Sequence, residues 1–154
     1  MPRLSISPDD FKRAKLVKPG WYPTLIKDVQ EELSSKKDSM NIVLDLENAD
    51  RDTDFFGVPC KHWLSEKGVS FPGGAAALAK AFNPTLDESK LADIEFGDMR
   101  GRYIYAKWSQ NRGKDGTDPP RNIIEDWAAL PKKYADLATT VVDAASEVGG
   151  FEKV

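Results

Sequence analysis

Two sets of side chains in this 154-residue chain have the types and spacing to do chemistry. The first is acidic. Asp45 and Glu47 stand two apart, and Asp50, Asp52 and Asp54 follow. Carboxylates two apart on a strand share a face and can hold Mg²⁺ for phosphodiester cleavage. No Lys, His or third carboxylate arrives at a spacing that would complete that site, and acid-rich turns are ordinarily just solvated. The single His62 and the single Cys60 stand in no Ser–His or Cys–His arrangement, and no Gly-x-x-x-x-Gly-Lys phosphate loop is present. His62 has no second His to make a ligand set, and Cys60 reads as a small core residue. A metal-dependent nuclease therefore ranks last among the readings, and no cofactor is expected.

The second set is aromatic and basic. In 103–108, alternate positions place Tyr103, Tyr105 and Lys107 on one face and Ile104, Ala106 and Trp108 on the other. Between residues 100 and 121 lie Arg100, Arg102, Lys107, Arg112, Lys114 and Arg121 against only Asp115 and Asp118, in a chain of net charge −3. Flat rings beside cations suit an unpaired nucleic-acid strand: bases stack on the rings and phosphates meet the Arg and Lys groups. Half-exposed tyrosines also stabilise sheets with nothing bound. The strand alone fits both readings, and the charge of the loop over 109–120 favours binding. Lys61 and Trp63, two apart in another strand candidate, repeat the ring-plus-cation pattern.

These residues need a scaffold. Ser7-Pro8-Asp9-Asp10 is a helix start, with a capping Ser, Pro at the first helical position and acids at the positive end of the dipole; the helix is expected over 7–17. Pro19-Gly20 breaks the chain before a strand over 21–29, with Pro23 placing that part at an edge. Residues 40–48 alternate most clearly, with Met40, Ile42, Leu44 and Leu46 on one face. A third strand is expected over 55–65, interrupted by Gly57 and Pro59. Ala75-Ala76-Ala77-Leu78-Ala79-Lys80-Ala81-Phe82 is a strong helix former stopped by Asn83-Pro84, and a further helical turn is expected near 88–91. Strands over 103–108 and 122–127 follow, then a partly amphipathic helix over 132–148.

The expectation is therefore a mainly β domain with flanking helices: one domain over 1–154, core about 19–127. Five short antiparallel strands with a helix between the third and fourth, and helices at both termini, are laid out as in an OB-fold barrel.

The run Pro19-Gly20-Trp21-Tyr22-Pro23-Thr24-Leu25-Ile26, the turn Ser35-Lys36-Lys37-Asp38-Ser39 and the alternating strand after it resemble the opening of a family of small bacteriophage single-stranded DNA-binding proteins. Gly101-Arg102-Tyr103-Ile104-Tyr105-Ala106 and Asn122-Ile123-Ile124 resemble that family's later strands. Asp38-Ser39 stands where the family has Gly. The resemblance implies an OB-fold and a non-catalytic, sequence-tolerant role on single-stranded DNA in phage replication or recombination, with phage or host replication proteins as partners. Its binding surface carries over to Arg102, Tyr103, Tyr105 and the basic loop with Arg112, Lys114 and Arg121; Lys61, Trp63 and Lys107 come from alternation.

Composition bounds the rest. A pI near 5.3 argues against binding duplex DNA through bulk positive charge. Residues 28–54 hold nine acids against three cations, so an acidic side would face a basic one and could orient a polyanion. One Cys excludes an internal disulfide, and no apolar run reaches membrane-spanning length. No secretory signal is evident at the N-terminus. A cytoplasmic location is expected, in the host if the chain is phage-encoded. A protein-interaction module on the same scaffold is the alternative function.

Overall fold

The computed structural model describes residues 2–33, 40–90, 93–111 and 119–137. The protein is mainly β. Strands β1 (Gly20–Leu33), β2 (Met40–Asn48), β3 (Pro59–Leu64), β4 (Tyr103–Asn111) and β5 (Arg121–Ala128) form one antiparallel sheet, in the order β3-β2-β1-β4-β5. Helix α1 (Pro8–Ala14) precedes the sheet, and α2 (Ala75–Phe82) lies in the chain between β3 and β4.

β1 is the central strand because it is long enough to be shared. Its first part, Gly20 to Leu25, pairs with β4, and its second part, Thr24 to Leu33, pairs with β2. A bulge between Ile26 and Asp28 lies within the part paired with β2 and turns the strand. Pro23 falls just before the β2 pairing starts at Thr24↔Asn48, so its missing N–H is not required on that side. The edge position inferred from Pro23 is thus local to that part of an otherwise central strand.

The alternation of β4 holds over 103–108; in β2 it holds for Leu44 and Leu46, while Met40 at the strand's start is exposed and Val43 on the other face is buried. Leu44 and Leu46, and Ile104, Ala106 and Trp108, point into the core with Ile26 and Val29 of β1, Cys60 and Leu64 of β3 and Ile124 and Trp127 of β5. α2 contributes Leu78 and Ala81. Trp108 is fully buried, and its indole N–H donates to the Thr24 hydroxyl (2.9 Å), which itself donates to the Tyr22 carbonyl (3.1 Å). A large ring is thereby buried without an orphaned donor.

Several boundaries differ from expectation. The first helix stops at Ala14 rather than 17. Asn122 of β5 captures the chain that follows: its side-chain oxygen accepts from the Val17 N–H and its amide donates to the Lys15 carbonyl, both at 2.9 Å. Val17 is buried as a result. β3 starts at Pro59, because 55–57 is turn ending at Gly57 with φ +86°, a conformation open to glycine. No helix forms near 88–90; a 3₁₀ turn at Phe96–Met99 comes later, and Gly101 (φ +82°) leads from it into β4. After β5 a 3₁₀ turn spans Lys132–Tyr134 and runs on helically to Leu137; the rest of the helix expected over 132–148 lies outside the described residues. Among the described residues no helix is long and apolar enough to cross a membrane.

Candidate nucleic-acid interface

The outward face of β4 is built by the same alternation that buries its other face. Tyr103 and Tyr105 are half-buried and Lys107 is exposed. Register then decides their neighbours. Trp21, Pro23 and Leu25 of β1 lie opposite Lys107, Tyr105 and Tyr103. Trp21 and Tyr105 stack, with ring centroids 5.5 Å apart and planes 19° from parallel. Beyond Tyr105 stands Tyr134, its centroid 6.0 Å away and tilted by 36°. Three rings therefore run in a row on the outside of the sheet, and Trp21 keeps 36% of its surface exposed. Neighbouring aromatic pairs of this geometry contribute about 0.5–1.5 kcal/mol beyond area burial.

Cations border the row. Lys107 sits at the Trp21 end, in an ion pair of 3.6 Å with Glu125 that is open to solvent. Lys133 lies beside Tyr134, 5.0 Å from the ring centroid; a hydrogen bond with Tyr134 holds its ammonium above the usual lysine pKa. Arg51 is near Tyr103, where its charge works to lower the phenol's pKa, but burial dominates and pushes it up. Acids are present too: Asp50 lines the same hollow as Lys133, and Glu47 acts on Tyr103.

The other residues singled out from sequence are not beside these rings. Arg102 precedes β4 on the inward parity, and its guanidinium lies 5.0 Å over the Phe82 ring at the end of α2. Lys61 and Trp63 do face outward on β3, but they meet acids: Lys61 is 4.0 Å from Asp45, and the Trp63 indole donates to Glu32 at 3.0 Å. Arg121 opens β5 and shares a groove with Lys61, Trp63 and Arg13, between β3 and β5. Arg112 and Lys114 lie outside the described residues. Of the nine residues, Tyr103, Tyr105 and Lys107 stand at the ring row, Lys61, Trp63 and Arg121 line the groove between β3 and β5, and Arg102 stands at neither. Trp21 and Tyr134 were missed. Trp21 comes beside Tyr105 only through the pairing of β1 with β4, where Pro23 between them in the register is fully buried, and Tyr134 only through tertiary packing, so neither carried a local signal.

Three of the carboxylates singled out from sequence, Asp45, Glu47 and Asp50, have partners, Asp50 accepting from the Asp52 N–H at 3.0 Å. Glu47 pairs with Lys27 at 3.1 Å, Asp45 with Lys61, and Asp28 with Arg100 at 2.7 Å, which together with the Val29 N–H holds the Asp28 carboxyl below the usual range. Among the described residues no group of three or more His, Cys, Asp or Glu is placed to hold a metal ion. Burial raises the Cys60 thiol to about 12, far from a reactive thiolate. His62 is half-buried against Trp127, edge to face, and its Nε2 is 2.6 Å from the Gly73 carbonyl, so that nitrogen carries the proton. Trp127 Nε1 donates to the same oxygen at 3.0 Å. Desolvation lowers the His62 pKa.

Neither a family model nor a curated protein matches this chain. The geometry of the ring row is therefore what bears on function.

Proposed function

We propose that this chain is a non-catalytic, sequence-tolerant single-stranded DNA-binding protein of the kind that serves phage replication and recombination in the host cytoplasm. The observation that carries the reading is the stacked Trp21–Tyr105 pair on an outward sheet face, extended by Tyr134 and bordered by Lys107, Lys133 and Arg51. Every base has a π-face, so such a row accepts any sequence, and the cations take the phosphates. The rings are already held in place by strand register, which limits the side-chain ordering that binding must oppose.

The finer architecture proposed with this function is an OB-like barrel. The two edge strands of the sheet lie close: the Cys60 thiol is 3.5 Å from the Asn122 carbonyl, and His62 packs on Trp127. Closing the order β3-β2-β1-β4-β5 through those edges gives the OB connectivity.

The test is fluorescence anisotropy of a labelled oligo-dT with the intact protein, at low and at physiological salt, with an equal-length duplex as competitor. The expected result is saturable binding that salt weakens and duplex barely displaces. Absence of binding at low salt would overturn the reading.

A further inference from the structure

Helix α1 has no share in the core. None of its residues is buried, yet its position is fixed. Ser7 and Asp10 form a capping box at its start, Lys15 Nζ donates to the Asp54 carbonyl at 2.7 Å, and Asn122 clasps the Lys15 carbonyl and the Val17 N–H. What this placement delivers is Arg13. It reaches a groove of ≈ 350 Å³ that opens where the two edge strands of the sheet meet, with Lys61 and Trp63 from β3 and Arg121 and Asn122 from β5.

Three elements thus bring Arg13, Lys61 and Arg121 to one groove, and no acid lines it. Acids stand around it instead: Asp45 is 4.0 Å from Lys61, Glu32 accepts from the Trp63 indole at 3.0 Å, and Asp10 precedes Arg13 on α1. Among the described residues neither Arg13 nor Arg121 forms an ion pair. Like charges gathered this way repel one another, and a bound anion relieves the repulsion. Trp63 adds a ring. It is 48% exposed, and its bond to Glu32 orients it. Phosphates on the cations and a base on the indole are what an unpaired strand would supply.

The groove is not part of the ring row. In the register of β4 and β5, Tyr105 lies opposite Ala128 and Asn111 opposite Arg121. Positions 105 and 111 are six residues apart, about 20 Å at the rise of a strand.

We infer that the groove between β3 and β5 is a second, separate site for single-stranded DNA, holding a different stretch of strand from the one on the ring row. The ligand rests on the proposed function; the site itself does not rest on the ring row. A short strand occupies either site. One long enough to reach from one to the other occupies both, and the second contact, being intramolecular, raises affinity above that of either site alone. In such a strand Arg13, Lys61 and Arg121 add about 2 to the magnitude of the salt slope.

The chain carries its own reporters. Of its four tryptophans, Trp21 belongs to the ring row and Trp63 to the groove, while Trp108 and Trp127 are buried. The test is to titrate the isotope-labelled full chain at low salt with an oligo-dT of about 4 nucleotides, the short end of site sizes for such domains, and to follow the indole N–H resonances. Trp21 and Trp63 are expected to move and Trp108 and Trp127 to stay. In Arg13→Ala/Arg121→Ala, Trp63 is expected to stop responding while Trp21 moves as before, with the resonances of Trp108 and Trp127 reporting that the variant is folded. Movement of Trp21 without Trp63 in wild type would overturn this inference and leave the proposed function standing; movement of neither would overturn both. A Trp63 response undiminished in the double variant would overturn the inference, since the contact would owe nothing to the groove's cations. Loss of the Trp63 response in Trp21→Ala would overturn it too, by making the two sites one.

Discussion

At the residue scale, the ring row and the half-buried imidazole of His62 make separate predictions. Trp21→Ala and Tyr105→Ala each remove a stacking surface, worth about 1–3 kcal/mol per base, or about a 5- to 150-fold loss of single-strand affinity. Both positions face outward, so the far-UV spectrum is expected to stay as in wild type. Titration with oligo-dT measures the loss, and unchanged affinity in both variants would remove the ring row from the site. Arg102→Ala is expected to leave affinity nearly unchanged, since its guanidinium covers Phe82 rather than the tyrosines. His62 predicts a pH dependence. Burial lowers its pKa in the folded protein below the unfolded value near 6.5, so the unfolded chain binds the proton more readily. Stability is therefore whole above about pH 6.5 and declines as pH falls below it. Melting temperature measured downward from pH 7 should drop, and His62→Gln, which can still donate to Gly73, should flatten that part of the curve.

At the element scale, what could be read locally was legible and what depended on register was not. β4 alternates from Tyr103 to Trp108 and β2 through Leu44 and Leu46, and the alanine run of α2 needs no tertiary help, so these faces follow from local sequence; that β4 runs on to Asn111 does not, because its last residues are held by pairing with β5. The end of α1 does not, because nothing before Lys15 announces that Asn122 will hold Lys15 and Val17 from more than a hundred residues away. The ring row is legible by halves: Tyr103 and Tyr105 from their own alternation, Trp21 only once β1 is paired with β4, and Tyr134 only from packing after β5. The resemblance groups Arg102 with the tyrosines, yet it stands before the strand begins and on the inward parity. The start of α2 carries a prediction of this scale. A Cβ on Gly74 would press on the backbone carbonyl oxygens of Gly68, Val69 (2.9 Å) and Phe71 (3.0 Å), none of which is a flexible side-chain end. Gly74→Ala is expected to cost about 2 kcal/mol or more. In Gly20→Ala the new methyl meets only the Tyr22 ring at 3.6 Å and beyond, and the cost should stay under about 1 kcal/mol. Chemical denaturation of the two variants compares them directly.

At the scale of the whole molecule, the chain carries net charge −3, so any attraction for a polyanion must be local. If phosphates meet only Lys107, Lys133 and Arg51, the slope of log affinity against log salt should be about −2; if Arg112 and Lys114 also take part, about −3.5. A salt titration with oligo-dT reads the difference, and a slope near zero would mean that phosphates contribute little.

β1 is divided between two partners, and that division has a consequence for how the protein is made. Its Thr24–Leu33 part pairs with β2, which leaves the ribosome soon after it, and β3 follows. Its Gly20–Leu25 part must wait for Tyr103–Trp108, some eighty residues later. A nascent chain reaching only to α2 thus holds a three-strand meander whose β1 edge is open at the very residues that carry Trp21. Synthesis at ~5–20 residues per second leaves that edge unpaired for several seconds. During that interval the nascent protein is open to chaperone capture and to strand addition from neighbouring chains. Pro23, with no N–H to offer, lies within that edge.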